Sequence, residues 1–488
     1  MLFQTRRLAG LPVKAVLEHP VSFTSITFLI FFAVVFAVYW LLRRRHWQNL
    51  FLLAASFFFY AWVSPWYAVL LALSTAADYY LALGMVRWQT RRKAFLVLSL
   101  LMNLGMLGFF KYFNFFSANA AAVLQSIGLA VDPGVMKLAL PLGISFYTLK
   151  KLSYILDVHR GVMQPVRSLV GYELYVAFFP QLISGPIDRP RQLLPQIQTE
   201  RRWQPGHLNA AWPLLVMGLF KKLVIADTIK VMVDKVFILT LPGKLLLLCG
   251  GLAFTLQVLA DFSAYTDLSR GLAYLLGFET SENFRRPYLS LTPTDFWNRW
   301  HITLSTWLRD YIFFPLRRAL LGRGFAAGSA AALVLPPILT MLVSGLWHGA
   351  GWTYILWGLY YGVLIVVYQR LGMGGAWKPK NQQQRLLAWA VMFTWIVLGW
   401  ILFRSPSISW LVNDLIYAPM VTSPEEAVAI LVVMSSVIFY GLLMFLPGLL
   451  AALPQRWHWL ESLYLAAALV MVVIYTNSTS PDFIYFQF

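Results

Sequence analysis

The sequence predicts an all-α polytopic membrane protein, with helices that cross a bilayer and further re-entrant or interfacial ones. Three observations carry this. Of 488 residues, 59% are hydrophobic and only 12% are charged, against roughly 25% charged in ordinary soluble domains. Uncharged stretches of the length needed to cross a bilayer, about 20 residues, recur along the chain. Basic residues gather in alternate loops between them, the signature of a fixed membrane orientation.

Taken in order, the candidate spans are Phe23–Leu42, Gln48–Trp62, Trp66–Leu83, Ala94–Phe110, Val135–Leu156, Ala210–Val233 and Leu245–Ala260. The C-terminal half adds Ala330–Trp347, Thr353–Gln369, Leu386–Phe403, Ile430–Leu449 and Ser462–Thr476, roughly a dozen in all. Lys150 and Lys151 interrupt the fifth. Pro141–Tyr147 and Pro180–Pro186 read as broken or re-entrant segments, which membranes tolerate only where protein or a water-filled cavity covers the backbone. Phe23–Leu42 is followed by no small-residue cleavage site, so it reads as an anchor.

Arg43–Arg45 follow the first span, Arg87 to Lys93 the third, and Arg160 and Arg167 the fifth, whereas residues 127–136 carry no Lys or Arg. Arg370, Lys378, Lys380 and Arg385 form another basic loop, and Arg404 to Glu426 holds three acids and one Arg. With basic loops inside, the turn at His348–Trp352 opens outward and the C-terminal segment also lies outside. The net charge of +19 is accounted for by these loops, so nucleic acid is not an expected partner; the lipid bilayer is. One cysteine, Cys249, excludes a disulfide framework, and no metal-binding motif is present. Residues 1–20 form an N-terminal extension without an assigned role, 21–476 the transmembrane domain and 477–488 an aromatic tail.

Two histidines stand out. Gly324–Gln369 contains no Lys, Arg, Asp or Glu, and near its middle lies Ser344-Gly345-Leu346-Trp347-His348-Gly349. An ionisable group at membrane depth is costly and marks a functional candidate. The plainer alternative is a Trp-His pair that bonds a carbonyl and packs. The second, His301, sits in the polar-aromatic run Phe296–Tyr311. There Thr294 and Asp295 suggest a helix start. Asp295 and Arg299 are spaced to pair, and Asn298, His301 and Ser305 would share one helix face. That helix reads either as interfacial with a solvated face or as the half-buried wall of a cavity. His19, His46, His159, His207 and His458 lie in peripheral or basic segments. In the polar insert Asp261–Asp267 the carboxylates either orient helices or pair with Arg270.

In this order, Phe109–Asn114, Pro141–Tyr147, Ser184-Gly185-Pro186, Ile225-Ala226-Asp227, Asp261–Asp267, Glu282–Phe284 with Pro287-Tyr288, Phe296–Tyr311 and Ser344–Ala350 resemble the membrane-bound O-acyltransferase family. The match is to its bacterial branch, which acetylates alginate, peptidoglycan or cellulose or D-alanylates teichoic acids, and it covers about residues 21–488. Arg317–Arg323 departs from the glycine-rich turn of alginate-type relatives.

The resemblance implies a helical fold around a central tunnel. It implies transfer of an acetyl group from cytoplasmic acetyl-CoA to hydroxyls of an exported polysaccharide. Such transfer needs a base for the attacking hydroxyl and a donor to the developing oxyanion. His348 is the expected general base. His301 is the second candidate, for thioester orientation or oxyanion stabilisation, with Asn298, Trp347 and Ser305 in support. Expected partners are a periplasmic SGNH-type acyltransferase or a polysaccharide synthase complex, in the cytoplasmic membrane of a bacterium. The tail Phe483–Phe488 resembles a C-terminal motif of the same branch. Tyr485 is therefore a candidate acyl acceptor, with a packing anchor as the plainer reading. A polysaccharide or lipid transporter and a complex scaffold are the alternatives from other classes.

Overall fold

A computed structural model of the chain describes residues 22–136, 139–375 and 377–476. The extension 1–20 and the tail with Tyr485 lie outside the described residues. In chain order the helices are α1 Ile26–Leu41, α2 Arg45–Ala61, α3 Pro65–Arg87, α4 Arg92–Leu107, α5 Phe113–Ser126, α6 Ile144–His159, α7 Leu169–Ala177 and α8 Phe179–Leu182. There follow α9 Pro190–Gln198, α10 Pro205–Leu219, α11 Asp227–Ile238, α12 Lys244–Leu275, α13 Pro293–Trp297 and α14 Ile302–Leu308. The last are α15 Phe314–Gly322, α16 Ala330–His348, α17 Trp352–Arg370, α18 Gln382–Arg404, α19 Ile408–Tyr417, α20 Pro424–Leu450 and α21 Trp459–Tyr475.

Among the described residues seven helical stretches are long and apolar enough to cross a membrane. They are Pro65–Arg87, Gln89–Ser126, Lys244–Leu275, Ala330–His348, Gln382–Arg404, Pro424–Leu450 and Gln455–Tyr475; α1 is apolar but shorter. The all-helical, multi-pass architecture is therefore as the sequence predicts. The other expected spans are shorter helices or are interrupted, except Thr353–Gln369, which lies within the unbroken 19-residue α17. The span expected at Val135–Leu156 starts only at Ile144, because Pro141 and the left-handed Gly143 turn the chain first. A Cβ on Gly143 would stand 2.4 Å from the Leu182 carbonyl oxygen, so this turn packs backbone to backbone on α8. Both broken segments are thus covered by protein.

Helix α12 is the pillar of the molecule: 83% of its apolar window is buried, against 11% for Pro424–Leu450 and for Gln455–Tyr475. It is longer than expected and runs through the polar insert. Asp261 and Asp267 do not pair with Arg270. Asp261 lies 2.9 Å from Lys222 and Asp267 2.5 Å from Lys221. The wide i→i+5 turn Phe220–Ala226 between α10 and α11 presents both lysines to α12. Buried ions are tolerated only when paired in this way.

One large apolar cluster joins α1–α4 and α6–α9 to the C-terminal half of α12, and another joins α11 and the front of α12 to α17 and α18. A smaller third cluster includes Phe146, Ile187, Leu304, Trp307 and Trp347. Both candidate histidines touch residues of this third cluster.

Candidate active site

His301 sits at a break in the chain. The preceding helix α13 is capped by Thr292, whose Oγ1 accepts from the Asp295 N–H at 3.1 Å, two residues before the expected start. Proline at its first turn costs no hydrogen bond. Arg299 pairs with Asp295 at 2.7 Å, as their spacing predicts. The chain then enters the left-handed region at His301 (φ 42°, ψ 53°) before α14 begins. Such backbone costs a non-glycine residue about 1–3 kcal/mol and persists only where the surroundings hold it.

Asn283 supplies the hold. Its carbonyl accepts from the Ile302 N–H at 3.0 Å. Its Oδ1 accepts from the Thr303 N–H at 3.2 Å and from the Thr303 hydroxyl at 2.7 Å. The Thr303 oxygen in turn accepts from the Ile187 N–H at 3.0 Å.

This break overturns the expected shared face. His301 is fully buried, with Phe262, Trp347 and Phe146 at ring-centroid distances of 4.7, 5.8 and 6.3 Å. Asn298 and Ser305 instead line a separate pocket of about 180 Å³ with Trp297, Arg309, Thr340 and Gln369. A single helix would have aligned all three residues; the left-handed turn rotates His301 to the other side.

His348 ends α16. Gly345, one turn earlier, lets α17 approach: a Cβ there would lie 2.1 Å from the Tyr354 carbonyl oxygen. Across the same contact, a Cβ on Gly358 would lie 2.2 Å from the Met341 carbonyl oxygen. Small residues permit such close helix packing in membranes. The His348 imidazole is 3% exposed and rests edge-on against Trp347, Trp357 and Phe403, at 4.9, 5.1 and 5.5 Å.

Trp347 therefore touches both histidines, at 4.9 Å and 5.8 Å. His348 also lines a cavity of about 30 Å³ with Lys111, Pro141, Ser145, Phe146 and Ile183. That is enough for one small polar group or a water. His301 does not line it; Phe146 and Trp347 stand between.

The residue that sequence reasoning passed over is Lys111. It is the only charged residue between Ala94 and Ser126, the same isolation that singled out His348. The i→i+5 turn Gly108–Tyr112 presents it to the end of α16. Its ammonium donates to the Trp347 carbonyl at 2.6 Å, the His348 carbonyl at 3.2 Å and the Ser145 hydroxyl at 3.4 Å. Tyr112 donates to the Leu346 carbonyl at 2.8 Å.

Lys150 and Lys151, read as interruptions of a span, are fully buried anchors. Lys150 donates to the Tyr175 carbonyl and to Gln181, both at 2.9 Å, and Gln181 donates to Asp188 at 2.6 Å. Lys151 lies 3.4 Å from Asp78.

The protein is thus a multi-pass helical membrane protein with two histidines packed on one tryptophan in its interior. The model of the membrane-bound O-acyltransferase family matches residues 166–408, a range that contains both histidines. The chain belongs to this family and is an O-acyltransferase. It is 36% identical over 402 residues to the probable alginate O-acetylase AlgI of Pseudomonas aeruginosa, covering 81% of this chain and 75% of that protein. To the probable alginate O-acetylase AlgI of Azotobacter vinelandii it is 38% identical, over 79% and 75%. To the peptidoglycan O-acetyltransferase of Helicobacter pylori it is 33% identical, over 74% and 71%.

Proposed function

We propose that the protein takes an acetyl group from acetyl-CoA on the cytoplasmic side and delivers it toward hydroxyls of an exported polysaccharide, with His348 as general base. One observation carries this reading. His348 has on one side a small cavity with Lys111 and Ser145 in its lining and on the other an aromatic wall, and that wall adjoins a second pocket. Trp357 packs on His348 at 5.1 Å and on Trp297 at 5.6 Å, and Trp297 lines the pocket of Asn298 and Ser305. That pocket also includes Arg309 and Gln369, beside the basic loops that the charge pattern assigns to the cytoplasm. It is the thioester's approach, with Asn298 as a neutral hydrogen-bond donor along it and Ser305, whose hydroxyl donates to the Trp300 carbonyl at 3.0 Å, in its wall. The cavity at His348 and Lys111 is where the attacking hydroxyl arrives.

In the transfer, His348 takes the proton of the hydroxyl as its oxygen bonds to the acyl carbon. A tetrahedral oxyanion forms, the carbon–sulfur bond breaks, and the thiolate leaves and recovers the proton as the free thiol. A neutral imidazole suits the first step because histidine ordinarily titrates near neutrality. His301 lines neither space and meets Trp347 at 5.8 Å, so its part in orienting the thioester or stabilising the oxyanion runs through that ring.

The relatives named for alginate and for peptidoglycan support a polysaccharide acceptor. Alginate-like exopolysaccharide is favoured, since the relatives named for it have the higher identities. Handover to the polymer runs through a periplasmic SGNH-type acyltransferase or the synthase complex, in the cytoplasmic membrane of a bacterium with the C-terminus outside. Sidedness is the test. Labelled acetyl-CoA should be consumed by inside-out vesicles and spared by right-side-out ones; equal consumption would contradict the reading.

A further inference from the structure

In a place that neither histidine lines, α12, α18 and α20 enclose a groove of about 690 Å³, lined by Leu252, Leu256, Phe393, Leu442, Phe445 and Leu449. Its outer wall is open: Leu442 is 64% exposed and Leu449 63%. A cation, Arg286, stands at one end. Its guanidinium lies over Gly448, 3.4 Å from where a Cβ would begin.

Three features set Arg286 apart from an ordinary surface arginine. Its backbone is left-handed, φ 47° and ψ 55°, a conformation that glycine takes with less strain. Its neighbour Arg285 is paired with Glu282 at 2.9 Å, whereas no carboxylate among the described residues is paired with Arg286. Beside it, Trp389 donates to the Tyr288 carbonyl at 2.9 Å, and both rings line the groove. Tryptophan and tyrosine favour the headgroup level of a bilayer.

The cation also lies at the basic end of its helices. Gly448 is near the C-terminal end of α20, and Trp389 is near the start of α18, just after Lys378, Lys380 and Arg385. An open apolar trough ending in an aromatic rim and a guanidinium without a carboxylate complements one kind of molecule. It is an amphiphile with a long hydrocarbon chain and a negatively charged head. Basic pockets between membrane helices on the cytoplasmic side select such lipids.

We propose that this groove binds an anionic phospholipid, its phosphate on Arg286 and one acyl chain along Leu256, Phe393, Leu442 and Phe445. Neither His301 nor His348 lines the groove, and the proposal does not depend on the assignment of His348.

The test uses the purified full chain in detergent and native mass spectrometry, with phosphatidylglycerol and phosphatidylcholine of identical chains. The wild type should retain phosphatidylglycerol about fivefold better, the factor that one arginine near an anionic headgroup supplies. Arg286→Gly removes the guanidinium and relieves the left-handed backbone, so it should fold and lose that preference. Gly441 lines the same groove, and a Cβ there meets nothing closer than Leu256 at 3.8 Å. Gly441→Phe should fill the trough and lower retention of both lipids. Equal retention of the two lipids by the wild type would overturn the proposal. So would a preference that survives Arg286→Gly, or full competition by glycerol phosphate, which would mark a phosphate site and not a lipid site.

Discussion

The Lys111 ammonium donates to the carbonyls of both Trp347 and His348, so a lysine 237 residues upstream closes the helix end that carries the proposed base. The last carbonyls of a helix have no partner within it and carry partial negative charge. A cation there satisfies them and fixes the direction in which the last side chain leaves the helix.

Lys111→Met keeps most of the stem and removes the donor. Hydrogen bonds to charged groups are worth about 1.5–3 kcal/mol each. If one such bond holds His348 in place, acyl transfer should fall about ten- to a hundredfold, with the protein still present in the membrane. Rates measured at matched protein levels decide it, and an unchanged rate would reduce Lys111 to a packing residue.

His301 is best probed by two substitutions together. His301→Ala leaves a side chain in the left-handed region at a cost of roughly 1–2 kcal/mol, whereas His301→Gly relieves that strain. The glycine variant should therefore melt higher in detergent than the alanine variant, yet both should lose most of the activity. Full activity in His301→Gly would show that position 301 needs only the backbone turn and that the imidazole takes no part.

Tyr485 lies outside the described residues, and its proposed role as acyl carrier rests on sequence. Phenolate leaves an ester more readily than a sugar alkoxide because phenol titrates near 10. Tyr485→Phe keeps the ring and removes the oxygen. Polysaccharide O-acetylation should then disappear at normal protein levels, while undiminished acetylation would leave the tail as an anchor.

How much of this was legible in the chain differs from element to element. The Asp295–Arg299 pair follows from local spacing, and the isolation of His348 follows from composition. The turn at His301 does not, because Asn283 and Thr303 impose it across a gap that no period encodes. Asn298 and Ser305 still share a pocket, and it is His301 that leaves the face their spacing predicts. For Asp261 and Asp267 the sequence leaves two readings, orienting helices or pairing with Arg270, the nearest cation in sequence. Their partners Lys222 and Lys221 reach them only because the wide turn between α10 and α11 changes the register of that helix. Lys111 was legible by the same rule as His348; its apolar surroundings were read as a span and not as a setting.

The central claim is that His348 removes the proton from the acyl acceptor. Its most direct test is transfer of labelled acetyl from acetyl-CoA to polysaccharide hydroxyls in inside-out vesicles, comparing wild type with His348→Ala at equal protein. General-base catalysis typically contributes about 10²–10⁴-fold, so the variant should fall by at least a hundredfold while remaining in the membrane. Wild-type transfer by His348→Ala would contradict the account.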